Sequence, residues 1–320
     1  MLDFSRLLFR RHSSSALGVL LCLSMGTHAS AHAQTEPPPP DNTKETETNE
    51  AAPAAQPATE NNTAPAESPP AEPAEAAPSP LEEANALLKK RGFSNCKQAV
   101  TLYRQELQKD PNNADLQIAT ADAINCVMRI KTNGNSLLIE GTSDTSANKR
   151  FWSKWGKEAV DLAKAGYDQK PNDAHALAVY TDAFMFYSSS FGILKSAVTG
   201  AADEYKKNAN ALIQNHPKYD GGVGYVFLGA FYLIAPWPLS DKKLARELMD
   251  KALATNPESR RNNYYVGVVA YRHGDYERAA TFFEKALTKK CTSPTERDFC
   301  SFMKKESQRA LKKTQKELGQ

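Results

Sequence analysis

The sequence predicts an all-α fold, a stack of irregular helical hairpins preceded by a disordered segment rich in Pro, Ala and Glu. Three observations carry this expectation. Ala245, Met249 and Ala252 recur thirty-four residues later as Ala279, Phe283 and Ala286, a small-large-small stripe that repeats in register at helical spacing. Four proline turns, at Pro111, Pro171, Pro217 and Pro257, each follow an amphipathic stretch. No run alternates apolar and polar residues in the way a half-buried strand requires.

Taken from the start of the chain, residues 1–33 read as a cleavable secretory signal. Arg6, Arg10 and Arg11 precede an apolar core from Ala16 to Met25, and Ala29-Ser30-Ala31 and Ala31-His32-Ala33 offer small-x-small cleavage sites. That core is too short to span a bilayer comfortably. Cleavage after Ala33 leaves Gln34 first in the mature chain. Cys22 follows Leu20-Leu21 and so lacks the small residue expected before a lipid-modified cysteine. Arg10-Arg11 resembles a twin-arginine signal, but no cofactor motif follows that requires export in the folded state. Periplasmic or secreted localisation is therefore expected, with no transmembrane span after cleavage.

Residues 34–80 are a different material. They hold twelve of the nineteen prolines and neither glycine nor aromatic residue. Such a segment buries too little apolar surface to offset its ordering entropy, so it is expected to be a disordered, acidic linker. It serves as an extended spacer or as a solubilising tail. Asn61-Asn62-Thr63 fits a glycosylation sequon, which is read here as chance. Charge is uneven along the chain. Of the net +3, residues 1–33 contribute +2 and residues 34–80 contribute −8, which leaves +9 on 81–320. A basic domain behind an acidic tail can meet anionic lipid, polymer or an acidic protein. Lys304, Lys305, Arg309, Lys312, Lys313 and Lys316 crowd the last segment, which reads as a solvated terminal helix.

Residues 81–320 form the expected domain of helical hairpins. Proline cannot continue a helix interior, and the Asn, Asp and Ser that follow the four turns can cap the next helix. Ahead of the turns, small and large residues recur at helical spacing: Ala99 and Tyr103, Ala159, Ala163 and Gly166, then Ala245, Met249 and Ala252. Glu82-Glu83 and Asp241 read as charges at helix starts. Gly222 and Gly224 read as glycines that let the chain turn tightly into a hairpin.

Four cysteines follow the signal: Cys96, Cys126, Cys291 and Cys300. An even number in an exported chain implies disulfides, and three connectivities are possible. The predicted hairpin geometry favours Cys96–Cys126 and Cys291–Cys300. No C-x2-C pair occurs, and His175, His216 and His273 are scattered, so no metal site is expected.

Within the last two hairpins, Leu228-Gly229 and Tyr232 resemble the first helix of a tetratricopeptide unit, and Ala245, Met249, Ala252 and Pro257 its second. Gly267, Tyr271, Gly274, Asp275, Tyr276, Ala279, Phe283 and Ala286 resemble the next unit. Pro236-Trp237-Pro238-Leu239 makes the connection between the helices about four residues longer than the repeat pattern allows. With this turn, roughly residues 150 to 290 resemble the T component of TRAP transporters. The aromatic stretch Tyr180–Tyr187 and the segment from Asp203 to Asn215 leading into Pro217-Lys218-Tyr219-Asp220-Gly221-Gly222 also suit that family. Leu239-Ser240 stand where the family's turns often carry glycine. The resemblance implies a helical periplasmic protein that associates with a transporter's substrate-binding component.

No catalytic constellation is visible. G-x-S-x-G, the phosphate-binding P-loop and H-E-x-x-H are all absent, so neither enzymatic activity nor a cofactor is expected. Trp152, Trp155, Tyr180, Phe184, Tyr187, Tyr225, Tyr232 and Trp237 either line a binding groove or pack the hairpins together. Trp237, held between two prolines, is the least easily explained as core and is the main candidate contact, with Tyr225 and Tyr232 as the weaker candidates. The expected partner is another envelope protein, a periplasmic substrate-binding protein in the transporter reading, and not nucleic acid. The alternative is a general scaffold in envelope assembly.

Overall fold

A computed structural model of the chain describes residues 78–192 and 200–320. The signal and the linker therefore lie outside the described residues, apart from the last residues before the first helix. Among the described residues, five pairs of helices follow one another. They are α1 (Pro80–Lys90) with α2 (Phe93–Lys109), α3 (Ala114–Thr132) with α4 (Ser146–Gln169), α5 (Ala174–Ser190) with α6 (Ala201–Asn215), α7 (Val223–Ile234) with α8 (Lys242–Thr255), and α9 (Arg260–Arg272) with α10 (Tyr276–Thr288). A short α11 (Pro294–Arg297) and a long α12 (Cys300–Glu317) close the chain.

Local chemistry sets these boundaries. Ser79 and Glu82 make a reciprocal capping box at the start of α1. Each proline turn separates one hairpin from the next, and Asn113, Asp173 and Ser259 then cap α3, α5 and α9 through their side chains. Gly222, at φ 82°, opens α7 in a left-handed conformation that a side chain would disfavour. Asp241 caps α8.

The small-large stripes bury as expected. Ala245, Met249 and Ala252 of α8 and Ala279, Phe283 and Ala286 of α10 are all in the core. Each large residue meets a glycine of its partner helix. A Cβ on Gly229 would lie 3.2 Å from the tip of Met249, and one on Gly267 would lie 2.7 Å from the Phe283 ring. These glycines are 38 positions apart and the large residues 34, so the extra four residues fall between α7 and α8. There the Pro236–Leu239 turn is a closed loop, in which the Leu239 and Ser240 amides donate to the Pro236 carbonyl.

One core joins the first two hairpins to α5, and a second joins α7–α10 to α12. Two features depart from the sequence reading. A small antiparallel hairpin, β1 (Leu137–Leu138) with β2 (Gly141–Thr142), interrupts the α3–α4 connection. Leu137 and Ile139 bury against the second core, and the Leu137 carbonyl accepts from the Tyr264 hydroxyl of α9 at 2.8 Å. In addition, α12 is not wholly solvated: its Met303, Ser307, Ala310 and Thr314 are buried, and its Arg309 and Lys313 both pair with Glu140. The last helix thus returns to the first half of the domain.

Candidate functional site

The first candidate is the Pro236–Leu239 turn. Trp237 is 88% exposed, which leaves nearly all of a large amphipathic ring in solvent. Tyr225 and Tyr232 lie half-buried on α7 and pack against both the second core and a small cluster of Ala209, Leu228 and Leu248. The remaining aromatics are packing residues for the most part. Trp152 is fully buried and donates its indole N–H to Thr132 at 3.0 Å, while Tyr180 stacks on Tyr167.

Sequence reasoning missed the second feature, a buried ionic network where the two ends of the stack meet. Arg91 follows α1 with a positive φ of 59°. Its guanidinium grips Asp298 in a bidentate pair at 2.9 and 2.6 Å and reaches Asp122 at 3.3 Å. Arg129, one turn after Cys126 on α3, donates to Asp298 at 2.8 Å, to Asp122 at 3.0 Å and to Asp182 of α5. Two arginines thus serve three aspartates away from water. Burial opposes ionisation of Asp122, but Arg91 and Arg129 overcome it and hold its carboxyl down at about 2. At Asp182 burial prevails over the single Arg129 contact, and the carboxyl is pushed up to about 6.

A signal for this pair was present. Pro111, Asn112, Ala114, Asp122 and Ala123 recur sixty positions on as Pro171, Asn172, Ala174, Asp182 and Ala183. Equivalent turns of α3 and α5 therefore carry equivalent inward carboxylates, although a single acidic residue in an apolar helix does not announce its partner.

Both disulfides flank the network. Cys96 and Cys126 are bonded, as are Cys291 and Cys300. The Cys126 sulfur lies 3.5 Å from Asp298. The loop closed by Cys291–Cys300 carries Asp298 and the buried Glu296. One Glu296 oxygen accepts from the Ser259 hydroxyl at 3.0 Å and the Arg261 amide at 2.7 Å, a carboxylate at the N-terminus of α9. Two disulfides suit an oxidising compartment.

Behind the network lies a cavity of about 90 Å³ reached by α3, α5, α6, α7, α9 and the loop at 295–299. Asp122, His175, Tyr219, Asp220 and Thr295 line both this cavity and a wider vestibule. Leu137, Met185, Tyr205 and Ala230 line both it and a second, mostly apolar cavity of about 110 Å³ that extends to Pro236 and Leu239. Among the described residues, no group of three or more His, Cys, Asp or Glu is placed to hold a metal ion, and no helix is long and apolar enough to cross a membrane.

No family model matches the sequence, and no curated protein matches it. Among solved structures, the chain is similar to TTC0263, a thermophilic tetratricopeptide-repeat protein of Thermus thermophilus. The two are 14% identical with a TM-score of 0.48, over 70% of this chain and 96% of that one. It is also similar to MamA, at 15% identity and a TM-score of 0.38, over 61% of this chain and 88% of that one. These likenesses are remote, and the fold rests on the hairpin geometry itself.

Proposed function

We propose that the chain is a non-catalytic binding protein of the cell envelope that docks on another protein through the Pro236–Leu239 turn. In its specific form, it is a T-component-like accessory of a periplasmic solute uptake system. The observation that carries the docking is the 88% exposure of Trp237 on a hydrogen-bonded turn that four extra residues push out of the hairpin. A Trp on a braced turn offers a large apolar contact with little entropy to lose, as binding hot spots do. The sequence resemblance across residues 150 to 290 supports the transporter context, and the disulfides support an exported location.

Pull-down from periplasm with the full chain tests this reading. Recovery of a solute-binding protein, lost on Trp237→Ala, is the expected result. Recovery of outer-membrane or wall-assembly factors alone sinks the transporter assignment and favours the scaffold. Because Trp237 touches little of the core, Trp237→Ala should change unfolding stability by less than about 0.5 kcal/mol, so lost capture reads as lost contact. Tyr225→Phe and Tyr232→Phe test the weaker candidates in the same experiment, and both retain the half-buried ring.

A further inference from the structure

The two disulfides sit in opposite surroundings. Cys96 and Cys126 are both 0% exposed, and the Cys126 sulfur lies 3.5 Å from a carboxylate oxygen of Asp298. Burial keeps an attacking thiol out, and a carboxylate gives a departing thiolate no support. Cys291 and Cys300 are only half-buried. Arg260, the first residue of α9, sets Nη1 2.8 Å from the Cys300 sulfur and 3.9 Å from the Cys291 sulfur. Its Nε donates to the Ala286 carbonyl at 2.9 Å, which fixes the guanidinium beside the bond. Cys300 also opens α12, and Phe299 before it has no side-chain acceptor for the amides of that turn.

Thiol–disulfide exchange is fastest when the departing sulfur carries negative charge well. An adjacent guanidinium and a helix N-terminus both favour a thiolate, and here both act on Cys300. The unequal distances from Arg260 therefore set a direction, with Cys300 as the leaving sulfur and Cys291 as the sulfur attacked.

We infer that Cys291–Cys300 is a site of thiol–disulfide exchange, opened by a dithiol reductant. One thiolate of the dithiol attacks Cys291 Sγ. The Cys291–Cys300 bond breaks, and its electron pair leaves on Cys300 Sγ beside Arg260. The second thiol of the dithiol, having lost its proton to water, then attacks the reductant's own sulfur in the mixed disulfide. Cys291 departs as a thiolate and takes a proton from water. Two electrons have passed to the protein, and the reductant ends as a disulfide. Cys96–Cys126 stays closed. Thr292, Ser293, Pro294, Thr295 and Arg297 of the freed loop line the vestibule, so exchange relaxes its wall. None of this requires the Trp237 contact or the transporter context, and it can fail while the docking reading stands.

Dithiothreitol is the probe, added without denaturant to the purified mature chain with both disulfides formed. Iodoacetamide labelling and peptide mass mapping then report each cysteine. Cys291 and Cys300 should be labelled about tenfold faster than Cys96 and Cys126. A short pulse of glutathione, quenched with acid, should leave glutathione on Cys291 and not on Cys300. Arg260→Gln should slow reduction of Cys291–Cys300 roughly fivefold, and Arg260→Lys should restore most of the rate. An arginine that merely braced the loop would give the opposite sign, since a looser loop is reduced faster. Equal rates for the two disulfides, glutathione on Cys300, or an Arg260→Gln chain reduced as fast as the wild type or faster overturns the assignment. The first two measurements use the wild-type chain and decide the matter if Arg260→Gln does not fold.

Discussion

Arg129 donates to three carboxylates from one guanidinium, so Arg129→Met leaves Asp122, Asp182 and Asp298 facing one another with only Arg91 among them. Loss of one partner from a buried ionic cluster is strongly destabilising, because the remaining charges can neither pair nor hydrate. Arg129→Met should therefore lower stability by about 3–5 kcal/mol in urea unfolding. A loss below about 1 kcal/mol would show that the cluster is solvated in solution. Asp182 makes a separate prediction. Its folded carboxyl titrates at about 6 against an ordinary 3.8, so the folded state binds more protons than the unfolded one between those values. Stability from this group falls as pH rises from about 4 to about 6, by on the order of 3 kcal/mol, and is level above that. Asp122 has the opposite sign, since its carboxyl is held down at about 2. Its contribution is complete above about 4 and is lost as pH falls toward 2. Asp182→Asn should flatten the pH 4–6 portion of the wild-type stability profile. An unchanged slope there removes Asp182 as its source.

At the scale of elements, paired glycines offer a controlled comparison. Gly267 faces the buried Phe283 ring, where an added Cβ would sit at 2.7 Å, and a ring fixed in the core cannot step aside cheaply. Gly267→Ala should destabilise by about 1–3 kcal/mol through overpacking. Gly229 faces the flexible end of Met249 at 3.2 Å and the Leu248 Cβ at 3.3 Å, tight but not overlapping, and Ala also gains up to about 1 kcal/mol of helix propensity. Gly229→Ala should therefore be nearly neutral, and thermal melting of the two variants ranks them. Much of this was legible in the sequence. Small residues opposite large ones, prolines between hairpins and Asn, Asp or Ser after each proline are local rules, and α3, α5, α8, α9 and α10 obey them. The small hairpin at Leu137–Thr142 was not legible. Two-residue strands have no periodicity to detect, and the burial of Leu137 depends on α9, which lies far along the chain.

For the whole molecule, the loop between Cys291 and Cys300 acts as a clasp. Thr295 holds Asp220, Glu296 caps α9 and Asp298 grips Arg91 and Arg129, so one short disulfide-closed segment bridges both halves of the domain. Native mass under non-reducing conditions should be four hydrogens below that of the reduced chain, as two disulfides require. Cys291→Ser with Cys300→Ser should cost roughly 2–3 kcal/mol in the chain-entropy model. It should also speed amide exchange at Leu88–Arg91 and the start of α9, as well as within the loop. Faster exchange confined to residues 291–300 would show that the clasp does not carry the closure.

The sequence by itself determined the helices, their order in hairpins, the burial of the repeat stripes and the oddity of Trp237, because each depends on residues within a few turns of one another. Its charge pattern did not reveal that Arg91, Asp122, Arg129, Asp182 and Asp298 form one network, nor that Arg261 and Thr295 both hold Asp220. Those depend on contacts across as many as 207 positions. Only the curvature of the assembled stack brings such residues together, and that curvature accumulates over all the interfaces between hairpins and is written in no single one of them.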